Sequence, residues 1–361
     1  MGSTSVLLPI FLLMSCAPKP LPPPPVAPAM GVVIRERGDL ASFPGPDQRI
    51  SRIAFGSCAD QKAPMPIFSA LLASEPELFV FLGDNVYGDA KAGQASLPEL
   101  RTAYATLAQH ADFQTVIQSV PILSVWDDHD FADNDGGRTF AYKETAEDLF
   151  EQFWADSPTD SRSERPGVYS SWTFGPDGER VQFLLLDTRF FRSELTRKRK
   201  GQFMKPGRYV ESKADEQDML GDQQWQWLES QLNQPADLRI VVSSIQVLAE
   251  KHGWERWGLL PTERTRLLEL LHAKENVVIV SGDRHWASTY RDETGLTEMT
   301  TSAINRPSMH RFTETGPLQF TQPYVDPNYG EITIDWESRI IQMRILDVSG
   351  NSVVQVPIKL K

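Results

Sequence analysis

Residues 78–87 read LFVFLGDNVY, a continuous apolar run that ends abruptly in a glycine and an aspartate. Five consecutive apolar residues predict a β-strand at residues 78–82 that is covered on both faces. The same pattern recurs along the chain and predicts further strands at residues 50–55, 122–126, 181–186, 238–243 and 277–280. We therefore predict an α/β fold with buried central strands.

Helical patterns separate these strands, at residues 66–73, 142–154, 221–232 and 261–272. Pro261 followed by Glu263 is typical of a helix start, and Gly221-Asp222 suits an entry turn. The final stretch, residues 330–358, predicts a meander of three strands at residues 331–336, 340–346 and 353–358. No internal repeat is visible in the sequence.

Polar residues follow the predicted strands at their carboxyl ends. They are Cys58, Asp84, Asp127-Asp128-His129, Asp187, Ser244-Ile245-Gln246 and Asp283-Arg284-His285. In open α/β sheets ligands bind in the crevice beyond those ends, so these side chains are expected to converge on one site.

The residue types at these strand ends favour a metal site. Asp84 comes directly after a tight strand exit, so its two oxygens can bridge two cations, and Tyr87 can return to one of them as a phenolate. Four polar groups in Asp127-Asp128-His129-Asp130 are costly to hold together without a neutralising cation. Asp283 and His285 project to one side of an extended segment.

Each motif taken alone has an ordinary alternative. A turn aspartate, a solvated loop and a surface ion pair explain the three carboxylate motifs, and Cys58 alone fits a small buried hydrophobe. The hypothesis of a metal centre therefore depends on all of these motifs meeting in the same crevice.

Taken in order, the motifs resemble the PhoD-like (alkaline phosphatase D) family of the metallophosphoesterase superfamily. The resemblance runs from about Arg49 to the C-terminus. It is carried by Gly56-Ser57-Cys58, Gly83-Asp84-Asn85-Val86-Tyr87, Val125-Trp126-Asp127-Asp128-His129-Asp130, Leu186-Asp187-Thr188-Arg189, Ser243-Ser244-Ile245-Gln246-Val247, His252-Gly253-Trp254, Ser281-Gly282-Asp283-Arg284-His285 and Asn328-Tyr329-Gly330-Glu331-Ile332-Thr333-Ile334-Asp335-Trp336.

The resemblance implies a metallophosphoesterase-like mixed β-sandwich flanked by helices, an α/β/β/α arrangement. It also implies metal-dependent hydrolysis of phosphoric esters by a metal-activated hydroxide. Compared with the general metallophosphoesterase pattern, Asp84 corresponds to the carboxylate that bridges the two metals. Asp128 stands where that pattern has an asparagine, and His129 corresponds to the histidine that follows it. The lone histidine of that pattern has no evident counterpart, and Gln246 corresponds to it by position only.

Ligand chemistry suggests two different metals. One cation is expected to bind Cys58, Asp84, Tyr87 and His285, and a thiolate, a phenolate and an imidazole suit Fe³⁺. The other is expected to bind the oxygen ligands Asp84, Asp128 and Asp283, which suit Ca²⁺. The family resemblance implies the same pair of metals.

Further residues are expected to act on the substrate or on the ligands. His129 is predicted to stabilise the phosphoryl group or to protonate the leaving oxygen. Arg284 is predicted to clamp phosphate, with an ion pair to a carboxylate as the alternative. Asp127, Asp130, Asn85 and Asn134 are expected to orient the ligands.

Two loop segments have two interpretations each. The basic run Arg197-Lys198-Arg199-Lys200 suits either a solvated loop or a flap that attracts an anionic substrate or membrane surface. His252-Gly253-Trp254 suits either ordinary packing or the lining of the substrate pocket.

The N-terminus predicts export and lipid anchoring. Residues 6–14 are apolar but too few to span a bilayer as a helix. Leu13-Met14-Ser15-Cys16 resembles a bacterial lipobox, although no Lys or Arg precedes the run, and a plain secretory signal or a truncated start is the alternative. We predict a lipoprotein signal peptide at residues 1–16, a Pro-rich tether and entry segment at 17–48, and a catalytic domain at 49–361.

Composition narrows the function classes. The net charge of −12 argues against a general nucleic-acid binder, because phosphate backbones require a basic face. The predicted partners are a small-molecule or polymeric phosphoric ester and, through lipidated Cys16, a membrane of the bacterial cell envelope. The alternatives are a phospholipase-type or envelope-polymer phosphodiesterase and a non-catalytic envelope lipoprotein that binds phosphate-bearing ligands. No pattern indicates an oligomeric state.

Overall fold

The strands of the protein form two sheets. The computed structural model describes residues 1, 40–131, 133–154, 162–199, 207–213, 217–308 and 315–361, apart from the side chain of Ser163. Within these residues the strands are β1 (Arg52–Gly56), β2 (Leu78–Leu82), β3 (Ile122–Val125), β4 (Ser170–Phe174), β5 (Val181–Leu186), β6 (Leu238–Ser243), β7 (Val277–Ser281), β8 (Ser288–Arg291), β9 (Thr297–Thr300), β10 (Asn328–Asp335), β11 (Ile340–Asp347) and β12 (Ser352–Lys359).

The first sheet joins both ends of the catalytic region. Its strand order is β12-β11-β10-β1-β2-β3. Strands β1, β2 and β3 are parallel, β10 is antiparallel to β1, and the strands of the C-terminal meander are antiparallel to one another. Ile53 is the register partner of Ile332 on one side and of Leu78 on the other. The C-terminal meander thus completes a sheet that begins near residue 52.

The second sheet has the order β4-β5-β6-β7-β9-β8. Strands β5, β6, β7 and β9 are parallel, and the short strands β4 and β8 run antiparallel at the two edges. The three longest apolar runs predicted for this half of the chain are its three central strands.

Four of the helices coincide with the predicted helical segments. They are α1 (Ile67–Ala73), α2 (Pro98–Gln109), α3 (Ala111–Ser119), α4 (Asp128–Phe131), α5 (Lys143–Trp154), α6 (Gly221–Leu232) and α7 (Pro261–His272), with short 3₁₀ turns at Arg162–Glu164 and Trp257–Leu259. On α7, Pro261 stands in the first turn and Glu263, Leu267 and Leu271 are buried, a spacing of four residues that places them on one face.

One hydrophobic core lies between the sheets. It takes Phe55 and its register partner Val80 from the first sheet and Phe183 and Val280 from the second, all buried. The same core continues on the outer face of the first sheet, where Phe81 packs against Trp154 of α5. Truncating a core phenylalanine such as Phe81 to alanine typically costs about 3–5 kcal/mol. A second core, including Leu186 and Ile279, covers the other face of the second sheet with α6 and α7. The predicted α/β/β/α sandwich is confirmed.

The structure contains several strands and helices that were not predicted from the sequence. Strands β4, β8 and β9 and helices α2, α3 and α4 have no counterpart among the predicted elements. Strands β8 and β9 are four residues each, STYR and TEMT, and their polar side chains are buried only because neighbouring strands cover them. Short strands without an apolar run leave little trace in a sequence.

Part of the N-terminal prediction falls outside the described residues. Cys16, the signal peptide at 1–16 and most of the tether at 17–48 belong there, as does Lys200 of the basic run. Residues 40–48 are described, and they lie against the body: Ala41 N–H donates to Ile117 O at 2.9 Å, and the Phe43 ring stacks on Trp172 at 5.0 Å. Within the described parts of the chain, no helix has both the length and the apolar character needed to cross a membrane.

Candidate metal centre

The polar strand ends of both sheets meet at one place. Ligand atoms of Cys58 and Asp84, from the first sheet, and of His285, from the second, lie within 4.8 Å of one another. Asp127 and Asp128 likewise lie within 4.8 Å of Asp283 across the sheets. The convergence expected at the carboxyl ends of the strands is therefore present.

The two sheets approach closely enough here to require glycine. A Cβ atom on Gly83, which has φ +100°, would lie 2.6 Å from the Cβ of Asp127 beside it and 3.0 Å from the Cβ of Ser244, which follows β6 of the second sheet. A Cβ atom on Gly282 would lie 2.5 Å from the Oγ of Ser57. Both glycines directly precede a predicted ligand, so they allow Asp84 and Asp283 to face each other's sheet.

Four of the predicted ligands have a backbone conformation that side chains rarely adopt. The φ angles are +60° for Cys58, +50° for Asp84, +67° for Asp283 and +58° for His285. A non-glycine residue in this left-handed region costs of order 1–3 kcal/mol, and such residues cluster at functional sites. The rest of the fold must therefore compensate for the conformational free energy that these four residues cost.

Cys58, Tyr87 and His285 surround one carboxylate oxygen of Asp84. The Sγ of Cys58 lies 3.5 Å from Asp84 Oδ2, and the Tyr87 hydroxyl donates to the same oxygen at 3.0 Å. The Tyr87 oxygen is also 3.4 Å from His285 Nε2. We name this set, Cys58, Tyr87 and His285, the mixed-donor half of the centre.

His285 is oriented by the backbone of a later loop. Its Nδ1–H donates to the carbonyl of Arg306 at 2.6 Å, which leaves Nε2 pointing at Tyr87 and Asp84. Burial lowers the pKa of His285 to about 4, so the imidazole is neutral at physiological pH. A neutral imidazole with one nitrogen anchored is the form that binds metals.

Asp127, Asp128 and Asp283 form the second set, which we name the oxygen half. Asp84 groups with Cys58 and His285 and also with Asp128, so the two halves share it. Asp128 Oδ2 accepts a hydrogen bond from the Asp135 amide at 2.8 Å. Within the described ranges, Asp128 Oδ1 and Asp283 Oδ2 accept no hydrogen bond although both are buried. Buried carboxylate oxygens without donors are unfavourable unless a cation contacts them.

The charge balance of the centre also fits bound cations. Burial raises the pKa of Asp84 to about 7 and raises that of Asp283 well above its ordinary value. Burial opposes ionisation of Asp128 too, but the positive charges of His129 and Arg189 outweigh it and lower the pKa of Asp128. Cations would remove the repulsion among these carboxylates, so the residues present suit a metal centre.

His129 lies beside both halves. Its Nδ1 is 2.6 Å from Asp89 Oδ1, and its ring centre is 4.4 Å from that of Tyr87. Burial disfavours a charged imidazole, but Asp128, Asp84 and Asp89 outweigh burial and raise the pKa of His129 to about 11. His129 is therefore an imidazolium held in place by Asp89.

Arg284 stands between two predicted ligands, as the sequence requires. Its Nη1 lies 3.6 Å from Asp283 Oδ2, so the ion pair that was the alternative to a phosphate clamp is present. The guanidinium also lies 5.8 Å from the centre of the Trp254 ring. The side chain is at the border of the centre rather than inside it.

Two residues expected to orient ligands hold the Asp84 turn. Asp130 Oδ2 accepts from the Asn85 amide N–H at 3.1 Å and also from the Asn85 side chain. Asp130 Oδ1 accepts from the Asp127 amide at 2.5 Å. Asn134, in contrast, is an exposed turn residue.

Asp127 is oriented by a buried arginine. Arg189 Nε donates to Asp127 Oδ1 at 2.7 Å, and Ser244 donates to the same oxygen at 2.6 Å. Arg189 also pairs with Glu255 at 2.6 Å, and both side chains are fully buried. Asp127 Oδ1 thus accepts hydrogen bonds from Arg189 and Ser244, as expected for a residue that orients the ligands.

Two polar strand ends do not belong to the centre. Asp187 accepts hydrogen bonds from Trp126 Nε1 and from the Val168 amide, and it caps the turn that follows β5. Gln246 donates to Tyr290 and Thr300, and its Oε1 lies 3.2 Å from His252 Nε2. Its amide holds His252, so the positional match to the lone histidine does not make Gln246 a ligand.

Several residues around the centre were not identified from the sequence. Asp89 binds His129, Arg306 lies 3.7 Å over the Tyr87 ring, and Glu255 lies with Asp128 and Asp135 in a third acidic group. Asp89 is only five residues after Asp84, and Glu255 directly follows His252-Gly253-Trp254. The closeness of Asp89 and Glu255 to a motif in the sequence could have pointed to them. Their contacts could not be predicted, because the residues that they contact come from distant segments.

A cavity of about 360 Å³ adjoins the oxygen half. It is lined by Asp133, Asp135, Glu194, Arg197 and Tyr209, and the Asp135 amide donates to Asp128 Oδ2 of that half. The Tyr209 hydroxyl donates to Asp135 Oδ2 at 2.6 Å. Among the described residues of the basic run, 197–199, Arg197 alone lines this cavity.

Comparisons with known proteins agree with this geometry. The sequence profile of the family described as PhoD-like phosphatase matches residues 53–335. The structure is similar to that of PhoD, with a TM-score of 0.67 and 17% identity over 89% of this chain and 70% of PhoD. A comparison with curated protein sequences gave no significant match.

Two further solved structures share the fold. The purple acid phosphatase isolated from yellow lupin (Lupinus luteus) seeds has a TM-score of 0.57 and 12% identity over 88% of this chain and 55% of its own. GAP50, described as the anchor in the inner membrane complex of Plasmodium, has a TM-score of 0.56 and 16% identity, covering 87% of this chain and 90% of its own. At such identities these structures show a common fold.

Proposed function

The chain belongs to the PhoD-like phosphatase family, and from this premise we propose that it hydrolyses phosphoric esters at a two-cation centre bridged by Asp84. Metal-dependent phosphoester hydrolysis is the activity of the family, and the chain is a metallophosphatase. The observation that carries the two-cation proposal is the position of Asp84, whose carboxylate touches both Cys58 and Tyr87 and also groups with Asp128 and His129.

The two halves would hold different metals. Cys58, Tyr87 and His285 with Asp84 offer sulfur, phenolate oxygen and imidazole nitrogen, which suits Fe³⁺. Asp84, Asp128 and Asp283 offer oxygen only, which suits Ca²⁺ or another hard cation. Bound at these places, the cations would supply an activated water and neutralise the charge of the phosphoryl oxygens.

His129 is proposed as the residue that acts on the leaving oxygen. Its Nδ1 is bound to Asp89 at 2.6 Å, so Nε2 is the ring atom left to face a substrate. An imidazolium can stabilise negative charge and donate a proton to the departing alcohol. The side chain is 15% exposed, which permits contact with a substrate at the surface of the centre.

Arg284 is proposed to bind the phosphoryl group of the substrate. Its planar guanidinium can donate two parallel hydrogen bonds to phosphate oxygens. The ion pair to Asp283 at 3.6 Å would hold the guanidinium at the rim. Arg284→Gln should therefore raise KM more than it lowers kcat.

The proposal is tested by metal analysis combined with hydrolysis of two model substrates. Elemental analysis should find more than one metal ion per active chain, and chelation should abolish hydrolysis of 4-nitrophenyl phosphate, bis(4-nitrophenyl) phosphate, or both. Active protein without stoichiometric metal would contradict it.

The same assay separates the alternatives. A strong preference for the diester would favour a phospholipase-type or envelope-polymer phosphodiesterase. Binding of phosphate-bearing ligands without turnover of either ester would favour a non-catalytic envelope lipoprotein. The intact set of Cys58, Tyr87 and His129 supports catalysis, since a binding protein does not need it.

Anchoring in the cell envelope is proposed separately, from Leu13-Met14-Ser15-Cys16 and the prolines that follow. Two or three acyl chains on Cys16 would give stable attachment. Cys16→Ser should move the protein from the membrane fraction to the soluble fraction of an expressing bacterium. An unchanged distribution would show that Cys16 is not the anchor.

A further inference from the structure

Trp254 stands between two arginines at the border of the metal centre. The guanidinium carbon of Arg284 lies 5.8 Å from the centre of the Trp254 ring, and that of Arg208 lies 5.9 Å from it. Arg284 is the residue between the predicted ligands Asp283 and His285. Trp254 therefore adjoins the centre without contributing a ligand to it.

Trp254 differs from the other half-buried tryptophans in its surroundings. Trp172 and Trp227 are half-buried and pack against the two large hydrophobic cores. Trp254 is half-buried too, but it is not among the described residues that pack against either core. A half-buried indole at the mouth of an active site offers an apolar surface to a ligand.

The backbone of Trp254 is held by His252. The Trp254 amide donates to His252 Nδ1 at 3.3 Å, and His252 Nε2 lies 3.2 Å from the Gln246 carbonyl oxygen. Because Nδ1 accepts and the other partner is an oxygen, His252 is neutral with its proton on Nε2. Burial, together with the charges of Arg284 and Arg256, lowers its pKa to about 2, in agreement with a neutral imidazole.

A second contact fixes the turn from the opposite side. The Gly253 carbonyl accepts a hydrogen bond from the Tyr209 amide at 2.7 Å. A Cβ atom on Gly253 would lie 2.5 Å from the Tyr209 carbonyl oxygen and 2.9 Å from Lys198 Nζ, so only glycine fits. The loop is thus built to present Trp254 in one position beside Arg284 and Arg208.

We propose, on the basis of the proposed ester hydrolysis, that Trp254 is a specificity-determining residue that binds the alcohol part of the substrate. The face of the indole would pack against a ring, while Arg284 and Arg208 pair with negative charge of the substrate. The favoured substrates are therefore phosphoric esters of alcohols that carry a ring with an apolar face, either a nucleoside or a sugar. His252 acts as a positioning residue for Trp254.

The proposal is tested by comparing kcat/KM for three monoesters: a nucleoside 5′-monophosphate, glucose 6-phosphate and glycerol 3-phosphate. Trp254→Ala should lower kcat/KM for the ring-bearing esters by about threefold to tenfold, mainly through KM, and leave the open-chain ester unchanged. Trp254→Phe should keep most of the preference. Whichever ring-bearing ester loses more identifies the base or the sugar as the natural group.

His252 is tested by substitution and rescue. His252→Ala should reproduce the loss seen in Trp254→Ala, whereas His252→Asn should restore part of it, because the asparagine oxygen can replace Nδ1 as the acceptor for the Trp254 amide. Arg266→Gln is the matched control: Arg266 lies 4.4 Å over the Trp225 ring, away from the centre, and its loss should leave all three substrates unaffected.

The outcomes separate this inference from the proposed function. Equal losses for all three esters in Trp254→Ala, or no loss for any, would overturn the role of Trp254 while leaving the hydrolase intact. Wild-type protein that hydrolyses none of the three, nor either nitrophenyl ester, would overturn the proposed hydrolysis itself.

Discussion

The two halves of the metal centre share Asp84 but differ in how their charge is balanced. In the mixed-donor half, burial and the neighbouring Asp84 raise the pKa of Cys58 and of Tyr87 well above their ordinary values, so both side chains carry their protons in the absence of metal. In the oxygen half, Asp127 already pairs with the buried Arg189 and Asp283 with Arg284.

This difference predicts that the two halves select their metals by different chemical properties. The mixed-donor half must lose protons to form its site, so it should select a cation that binds thiolate and phenolate strongly. The oxygen half offers carboxylates whose charge is partly compensated, so it should select a hard cation by charge and coordination number. The predictions that follow act on both halves, on one half, or on their surroundings.

The largest effect is expected from Asp84→Ala, because Asp84 belongs to both halves. Each cation would lose one ligand oxygen and the centre would lose one negative charge, so kcat/KM should fall by about a hundredfold to a thousandfold. Metal analysis of the purified variant should show a reduced content of both metals. Loss of only one metal would show that Asp84 does not bridge.

The next largest effects come from changing one half at a time. Cys58→Ala should lower iron content and activity together while calcium content is retained, and Asp283→Asn should do the reverse. Both changes are small, and circular dichroism should show that the fold is kept. If either variant loses both metals equally, the two halves are not independent sites.

Colour gives an independent measure of the mixed-donor half. A phenolate or thiolate bound to Fe³⁺ transfers charge into a partly filled d shell, which gives visible absorption, whereas Zn²⁺ has a full shell. The active protein should be coloured, Cys58→Ala should weaken the band, and Tyr87→Phe should shift it. Colourless active protein with unaffected Cys58→Ala would show that the site holds two hard cations.

A smaller effect is expected from Asp89→Asn, which leaves every predicted ligand in place. Asp89 holds His129 through Nδ1 at 2.6 Å, and loss of such a partner typically costs about tenfold to a hundredfold. Activity should fall with the content of both metals unchanged. A loss of metal in this variant would place His129 among the ligands instead.

The smallest effect concerns stability after metal removal. Without metal, burial raises the pKa of Asp84 to about 7 against the opposing charge of His129, while the unfolded value is near 3.9. At Asp84 the folded chain then binds more protons than the unfolded chain between these values, so the contribution of Asp84 to stability should fall as pH rises from about 4 to about 7. His285, whose pKa is lowered to about 4, contributes in the opposite direction. The difference in thermal stability between chelated wild-type and chelated Asp84→Ala protein should therefore show this fall, and the same comparison with metal present should not.

Much of the fold could be predicted because buried strands leave continuous apolar runs. The predicted boundaries of β2, β5 and β6 and of α6 and α7 match the structure residue for residue. Strands β8 and β9 could not be predicted, because Thr297 and Thr300 are buried by their neighbours and not by their own character.

The candidate site was predictable in its ligand types and not in its geometry. The positions of Cys58, Asp84, Asp283 and His285 after strands were visible, but their positive φ angles were not, since left-handed backbone is usually signalled by glycine or asparagine. The partners Asp89 and Arg306 could not be assigned either, because each contacts a ligand or His129 from a distant segment.

The pairing of β1 with β10 also determines the order in which the molecule can fold. Arg52 pairs with Thr333, so the first strand of the catalytic region stays without one neighbour until nearly the whole chain has been synthesised. Contacts of such high sequence separation are slow to form and leave intermediates with open strand edges. Until then Cys58, two residues beyond β1, remains an accessible thiol that oxidation can reach. Maturation of this enzyme should therefore depend on how long the incomplete chain is kept reduced, and metal supplied before the C-terminal meander is in place should find only part of its site.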